Sequence, residues 1–589
     1  MYPLCLLAAI AGAHTIEPVV VTATRTEIPA SQALASVELI TGEELLRQPA
    51  SDLGDALRMR AGVEVARLGG PGQQTSLFLR GTESNHVLVL VDGLRINPGT
   101  IGSAAIQNIA PELVERIEIV KGPRSTLYGS EALGGVINVI TRRGAATGGS
   151  VQLGFGRFDT RNASLSAGIG GERGDASFGL SWLDSDGFPT RTGDATDRGY
   201  ENRSFTAAAR TDLGAVELGL RAWHASGTSE YSDFFVTPVD QDFRNSALAL
   251  TAGFSPSASW DSRLAVGHAI DDLEQNQSPD FLDTRRWTLD WQNDFALTER
   301  QRLTTGLLWQ DEEADAESFG LPYGATTTSR QFYLQDQAAF GRHRLLLAAA
   351  YTDHETFGGH MTWNAEYGIA VGDRALITFA TGTAFRAPDA TDLYGFGGNP
   401  DLDAEESQSY EISYRQRIGE RQSFTLTAFR NDIDELIQFV VTDFETFEGE
   451  NRNVERARID GIEAAWRIDG QDWSARASAT LQDPRDRITD ARLLRRAREN
   501  ATLAVSRRIR GHELALDLLY AGDRKDFGFP EPVTMGSYWL ANLSARVAVT
   551  ERWTLLARME NLFDEDYQLA SGFNTMGRSL FVAVRHEFR

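Results

Sequence analysis

Val151-Gln152-Leu153-Gly154-Phe155-Gly156 alternates an apolar side chain with a small or polar one, and the pattern returns at once. After a turn, Ala163, Leu165, Ala167 and Ile169 alternate with Ser164, Ser166, Gly168 and Gly170. Ala176, Phe178, Leu180 and Trp182 then alternate with Ser177, Gly179 and Ser181. Successive strand side chains point to opposite faces, so each stretch is a strand with one greasy face and one small, polar face. The same texture recurs at Ile377/Phe379, Leu514/Leu516/Leu518/Tyr520, Trp539/Ala541/Leu543 and Leu580/Val582/Val584.

Two architectures produce this pattern. A soluble sandwich buries the greasy face, whereas a transmembrane barrel turns it to lipid and keeps the polar face in a wet lumen. Size separates them. From residue 146 to 589 the texture is continuous, with no short repeat of the solenoid or propeller kind. At roughly 20 residues per strand and connection, that length predicts about 22 antiparallel strands. A barrel so wide leaves a lumen that is either open or plugged. No apolar run reaches the 18 or more residues of a membrane-spanning helix. Trp182, Trp223, Trp539 and Trp553 are candidates for interfacial girdles.

The first quarter of the chain reads differently. Residues 1–13 are apolar and end in Ala11-Gly12-Ala13, a small-x-small pattern that predicts signal-peptidase cleavage. The basic n-region is missing, so the segment reads as a signal peptide shortened at its start. The one cysteine of the 589-residue chain, Cys5, lies in it. Cleavage would leave no thiol for disulfides, iron–sulfur clusters or thiolate metal sites. Residues 14–30 form an extended tail rich in Val and Thr. Residues 31–145 are mixed α and β. Gly42–Leu46 and Asp52–Leu57 read as short helices, and Val87–Val91 and Val136–Ile140 as buried β-branched strands.

The net charge of −25 excludes a general nucleic-acid binder, which needs Lys and Arg to neutralise phosphates. Enzyme signatures are lacking. His354-Glu355 and His360 are six apart rather than the four of a helical zinc site, and there is no nucleophile elbow or P-loop. The chain therefore reads as a non-enzyme without a catalytic cofactor.

Motifs in both regions resemble the TonB-dependent outer-membrane receptors. In the first region they are Leu79-Arg80-Gly81, Val91-Asp92-Gly93-Leu94-Arg95-Ile96-Asn97, Val114–Pro123 and Leu127–Asn138. In the second they are Phe385-Arg386-Ala387-Pro388, Leu393-Tyr394-Gly395, Gly398–Leu402, Glu405-Glu406-Ser407, Phe429–Ile433, Leu493–Arg498, Asn561–Tyr567 and Gly577-Arg578. Order and spacing follow the family over nearly the whole chain. One departure is that Phe588 is followed by Arg589, where the family ends on an aromatic. Within the family, Gly81–Gly93, Leu393–Pro400 and Leu493–Ala497 are most similar to the cobalamin (vitamin B12) transporters.

The resemblance implies a monomeric outer-membrane barrel with an α+β plug in its lumen. Such a receptor imports a scarce nutrient with energy from the inner-membrane TonB protein. Cobalamin is the expected ligand; a ferric siderophore, haem or another metal chelate is the alternative. A passive porin or adhesin would need neither plug nor tail. Glu17-Pro18-Val19-Val20-Val21-Thr22-Ala23 resembles the TonB box, an extended segment able to add a strand to a partner's sheet. By motif position, Arg80 and Lys121 of the plug face Glu411 and Glu463 of the barrel as an ionic lock. Ligand contacts are expected from Gly70, Gln73, Asn97, Thr100 and Ser103 in two Gly-rich plug loops. Asp184, Asp186, Asp233, Asp240 and Asp242 in the early barrel loops are candidate calcium ligands, since calcium takes six to eight oxygens.

Overall fold

The computed structural model describes residues 19–20, 22–47, 52–144, 147–233, 235–443, 448–528 and 531–588. Among these, 22 strands close into one antiparallel barrel, from Gly148–Gly156 to Ser579–Phe588. The first and last strands seal it, with Gly149 opposite Phe588 and Gly156 opposite Phe581. No helix among the described residues is long and apolar enough to cross a membrane; the strands do so instead.

The faces settle the choice between sandwich and barrel. Phe155 is 65% exposed and Ile169 62%, while Gln152 on the other face is 2% exposed. Leu153, Phe178, Leu180, Phe379 and Leu514 also point outward, while Ser181, Thr206 and Gln335 point in. A greasy exterior around a polar interior is stable only in lipid, where closure satisfies every backbone group. Trp539 and Trp553 lie on that exterior near opposite rims. Trp223 does not. It is buried on the lumen side with Tyr200 and Phe243, packed against the plug, so it is no girdle residue.

The two rims differ. At one, strands join through two-residue turns such as 214–215 and 510–511. Arg510 and Gly511 both have positive φ, the pair of left-handed residues that a type I′ hairpin needs. At the other rim lie the long connections 387–404 and 561–578. Short turns mark the periplasmic side of such barrels and long loops the outside. The barrel's first strand starts, and its last strand ends, at the periplasmic rim.

Residues 22–47 and 52–141 fill the lumen. Their main sheet has five strands in the order Val37–Thr41, Val114–Lys121, Gly135–Thr141, Val87–Val91, Leu94–Arg95. Val87–Val91 and Gly135–Thr141 are parallel neighbours. Both are buried along their length, as their mostly apolar, β-branched runs require. Helix Gly42–Arg47 packs on Val37–Thr41 and Val114–Lys121, and helix Leu53–Leu57 packs beside Val63–Arg67 of a separate two-stranded sheet. Asp52 caps the second by accepting from the Asp55 N–H. The plug core runs into the barrel wall: Ile106 and Ile109 share one apolar cluster with Phe243, Ala247 and Ala249.

Candidate functional site

The candidate functional surface is the seam between plug and wall, which reaches from the periplasmic tail to the outer rim. At its periplasmic end, Val19–Val20 pairs antiparallel with Ile28–Pro29. Glu17, Pro18 and Val21 lie outside the described residues. Thr22 is fully buried: its N–H and hydroxyl both donate to Glu118, at 2.9 and 2.7 Å. Its carbonyl accepts from the Tyr128 hydroxyl at 3.0 Å, and its hydroxyl oxygen accepts from Asn138 at 3.1 Å. Two residues on, the chain ties to the wall. Gln335 donates to the Thr24 carbonyl at 3.0 Å, and Gln292 to that of Arg25 at 3.2 Å. The tail thus enters the molecule through a clasp held by both bodies.

Higher in the seam the structure brings together Arg80, Lys121, Glu411 and Glu463. Arg80 Nη1 lies 2.6 Å from Glu411, and its Nε and Nη2 grip Glu463 at 3.0 and 3.1 Å. Lys121 reaches Glu463 at 3.1 Å, Glu38 at 2.8 Å and the Ala61 carbonyl at 2.7 Å. The Arg80 guanidinium also stacks over Phe429, 4.5 Å from its centroid. Burial pulls the Lys121 pKa down, but the Glu38 and Glu463 carboxylates outweigh it and hold the ammonium above its ordinary range. Gly62 makes room for this cluster. It has φ +63°, and a Cβ there would overlap Glu463 Oε1.

Two barrel motifs singled out in the sequence are plug-docking loops. In Leu493–Ala497, Arg496 donates to the Gly81 carbonyl at 3.2 Å, stacks on Phe78 and pairs with Glu83. The Ala497 N–H donates to Glu64 at 2.6 Å, and Gln482 donates to the same carboxyl. Burial pushes the Glu64 carboxyl up to about 7, against that N–H and the Arg524 and Arg496 charges. In the stretch from Phe385, the buried Arg386 binds Glu405 and Asp392. Plug His86 sits 3.0 Å from Glu405 through Nε2. Its Nδ1 accepts from the Glu83 N–H, which makes Nε2 the protonated nitrogen. Helix Ala390–Tyr394 then lies on the plug, its Ala390 and Thr391 N–H groups donating to the Gly99 and Thr100 carbonyls at 2.9 Å each.

That docking corrects part of the expected ligand surface. Asn97 is fully buried and spends its amide on Val89, Val87 and Gly102 backbone. Thr100 is sealed beneath Thr391 and Thr284. Gln73 donates to the Glu230 carbonyl of the wall at 2.6 Å, and Gly70 packs on the Phe188 ring. Only Ser103 of the five is partly open. The barrel loops fold inward and cover these plug loops, a tertiary event that loop composition does not encode.

Sequence reasoning missed the opening that remains. A shaft of about 250 Å³ descends between plug and wall. Thr326, Thr356 and Tyr394 are exposed at its mouth. Its floor is plug residues Gly129–Glu131 and Arg95, and its wall includes Gln331, Thr352, Arg286 and Glu312. Arg95 pairs with Glu131 and Arg286 with Glu312, and Asp389, which also lines the shaft, lies 3.7 Å from Arg386 behind it. Period-two alternation marks Gln331 and Thr352 as lumen-facing, but no sequence signal says which lumen positions meet the plug across a gap.

The candidate calcium ligands do not converge. Asp233 accepts from the Phe235 and Thr237 N–H groups as a loop cap. Asp240 is held by Asn276 and Gln277, and Asp242 by the Thr228 hydroxyl. Asp184 sits mid-strand opposite Arg161 and Glu201, and the Asp186 N–H pairs with the Phe158 carbonyl. Among the described residues no three His, Cys, Asp or Glu side chains gather as a metal site. Asp233 thus braces its own loop, whereas Asp240 and Asp242 tie neighbouring strands and loops together.

Comparison with known proteins agrees with this geometry. The family description "TonB-dependent Receptor Plug Domain" matches residues 29–136, and "TonB dependent receptor-like, beta-barrel" matches residues 145–562. The vitamin B12 transporter BtuB of Vibrio vulnificus is 33% identical over 606 residues, with 98% of this chain and 96% of that protein covered. The vitamin B12 transporter BtuB of Photobacterium profundum is 30% identical over 612 residues, covering 100% and 98%. Among solved structures, the siderophore receptor PirA of Acinetobacter baumannii superposes with a TM-score of 0.80 at 18% identity, over 94% of this chain and 98% of that one. That last likeness speaks for the fold alone.

Proposed function

Since the chain belongs to the TonB-dependent receptors, which are outer-membrane transporters rather than enzymes, we propose that its cargo is cobalamin. The observation that carries this reading is identity of 30% or more, end to end, with two vitamin B12 transporters. A plug that fills the lumen and ties to the wall along its whole height argues against free diffusion, so the passive-porin alternative loses its basis.

In this reading cobalamin binds from outside, above the plug and its docked loops. Arg80, Lys121, Glu411 and Glu463 lock the plug while the receptor waits. TonB captures Glu17–Ala23 as an added strand, and backbone hydrogen bonds carry the pull. Force then enters at Thr22, whose partners Glu118 and Asn138 belong to the central plug sheet. Calcium has no step here.

The test is calorimetric titration of detergent-folded protein with cyanocobalamin, beside a ferric siderophore and haem. Tight binding of cyanocobalamin alone supports the reading. Folded protein that ignores cyanocobalamin and binds an iron chelate overturns it and leaves the receptor class intact.

A further inference from the structure

The shaft between plug and wall has a lining that tight packing would not leave. Arg95 Nε, Glu131 Oε2, Gln331 Oε1 and Thr352 Oγ1 are buried, have no hydrogen-bond partner in the protein, and belong to residues that line it. Buried polar groups of native proteins are nearly always satisfied, so four in one cavity need a common explanation. Their other ends are committed. Gln331 Nε2 donates to the Ser125 carbonyl at 2.8 Å, which fixes the amide and frees its oxygen. Arg95 pairs with Glu131 through Nη2 and Oε1, leaving Nε and Oε2 over. Gln331 and Thr352 face one another across neighbouring strands.

Together these atoms offer one N–H donor, two acceptors and a hydroxyl, beside two ion pairs and an Asp389 carboxyl that faces Arg386. A carboxylate would suit Arg95 but confront Glu131 and the Gln331 oxygen. An ammonium would suit those acceptors but confront Arg95 and Arg286. A primary carboxamide is neutral, has a C=O acceptor and two N–H donors, and matches the set. The volume, about 250 Å³, is below the roughly 300–1,000 Å³ of pockets that swallow a drug-sized ligand. It holds an arm of a larger molecule whose body stays above the mouth.

We propose that this shaft is a subsite for a primary carboxamide arm of the incoming ligand, read by Arg95, Glu131, Gln331 and Thr352. The proposal rests on the cobalamin reading, since a corrinoid carries primary carboxamides around its rim, and it adds where one of them goes. It also gives a basis for discrimination, because an acceptor-only ferric catecholate does not complement this lining.

The experiment titrates full-length, folded receptor with cyanocobalamin, using wild type, Thr352→Val and Thr352→Ser. Loss of one neutral hydrogen bond weakens binding roughly two- to ten-fold, so Thr352→Val should fall by that factor while Thr352→Ser, which keeps the hydroxyl, binds as wild type. Gln331→Met should weaken binding similarly. A cyanocobalamin monocarboxylate isomer whose hydrolysed arm is the one that enters should bind wild type more weakly still. If wild type binds cyanocobalamin and both Thr352→Val and Gln331→Met bind equally well, the shaft holds water only and the subsite is refuted while the cargo stands. Equal weakening of Thr352→Ser and Thr352→Val makes the effect one of packing and also refutes it. If wild type does not bind cyanocobalamin at all, the cargo reading fails and the subsite falls with it.

Discussion

Arg25 donates to Asp290 at 2.8 Å, an ion pair that joins the Gln335 and Gln292 bonds in fastening the segment just after Val19–Val20 to the barrel wall. The same guanidinium donates to the Tyr333 hydroxyl at 2.9 Å and lies between the rings of plug Tyr128 and wall Tyr333, 4.7 and 4.9 Å from their centroids. Arg25 has φ +58°, so the backbone turns sharply at the anchor. A pull on the tail meets the contacts of Thr22 with the plug sheet first and this clasp next.

Arg25→Ala should therefore loosen the tail without unfolding the barrel. Hydrogen bonds to charged groups contribute about 1.5–3 kcal/mol each, so opening of residues 22–26 should become more than ten-fold easier. Labelling of a cysteine placed at the buried Ala23 measures it. Labelling as slow in Arg25→Ala as in the parent would mean that the contacts of Thr22 and the backbone bonds from Gln335 and Gln292 hold the tail without the Arg25 side chain.

The lock has a larger expected effect. Removing one partner of a buried ion pair costs about 3–5 kcal/mol, because the other charge is stranded. Glu463→Ala would leave both Arg80 and Lys121 short of a carboxylate. Amide hydrogen exchange in the plug strands Val114–Lys121 and Gly135–Thr141 should accelerate by at least a hundred-fold, with barrel strands unchanged. Gly62→Ala should reproduce the effect, since its methyl would collide with the Glu463 carboxylate. Normal exchange in Gly62→Ala would show that the lock tolerates displacement.

Docking of the Leu493–Ala497 loop should depend on pH through Glu64. Its carboxyl is raised from 4.5 to about 7 by burial. A raised folded-state value means that the stabilisation is fully present below about pH 4.5 and is lost as pH rises through about 7, at a slope on the order of 1 kcal/mol per pH unit. Exchange at the Ala497 N–H, corrected for intrinsic rate, should report weaker protection at pH 8 than at pH 5. Glu64→Gln, which stays neutral, should flatten the profile. A wild-type profile already flat over that range would show that Glu64 does not change charge there.

The sequence made the barrel legible because lipid imposes a one-dimensional rule: Val151, Leu153 and Phe155 must alternate with partners that face the lumen. The central plug strands were legible for a similar reason, since Val87–Val91 and Val136–Ile140 are buried on both faces and read as short, mostly apolar and β-branched runs. The cluster of Arg80, Lys121, Glu411 and Glu463 came only from motif position, as no local pattern joins residues 331 to 383 apart in the chain. Trp223 was misplaced because composition does not reveal which face of a strand the plug will cover. Asn97 looked like a ligand donor in a Gly-rich loop, yet its amide closes that loop's own backbone. The shaft was invisible for the same cause: it exists only where two bodies fail to meet.

The dispersed aspartates lead to the last expectation. For calcium to bind here, Asp233 would have to give up two backbone caps, Asp240 two amide donors and Asp242 a hydroxyl. Each carboxylate already stabilises its loop, so the ion would gain little over what it displaces. Cyanocobalamin affinity should then change by less than about two-fold when a calcium chelator is added, within the scatter of a single weak contact. Asp233→Ala should still weaken binding, because losing the cap frees the loop at 233–237, and it should do so equally with and without chelator. A chelator effect of ten-fold or more, abolished in Asp240→Asn, would mean that ligand or ion binding rearranges these loops into a site that their present hydrogen bonds oppose.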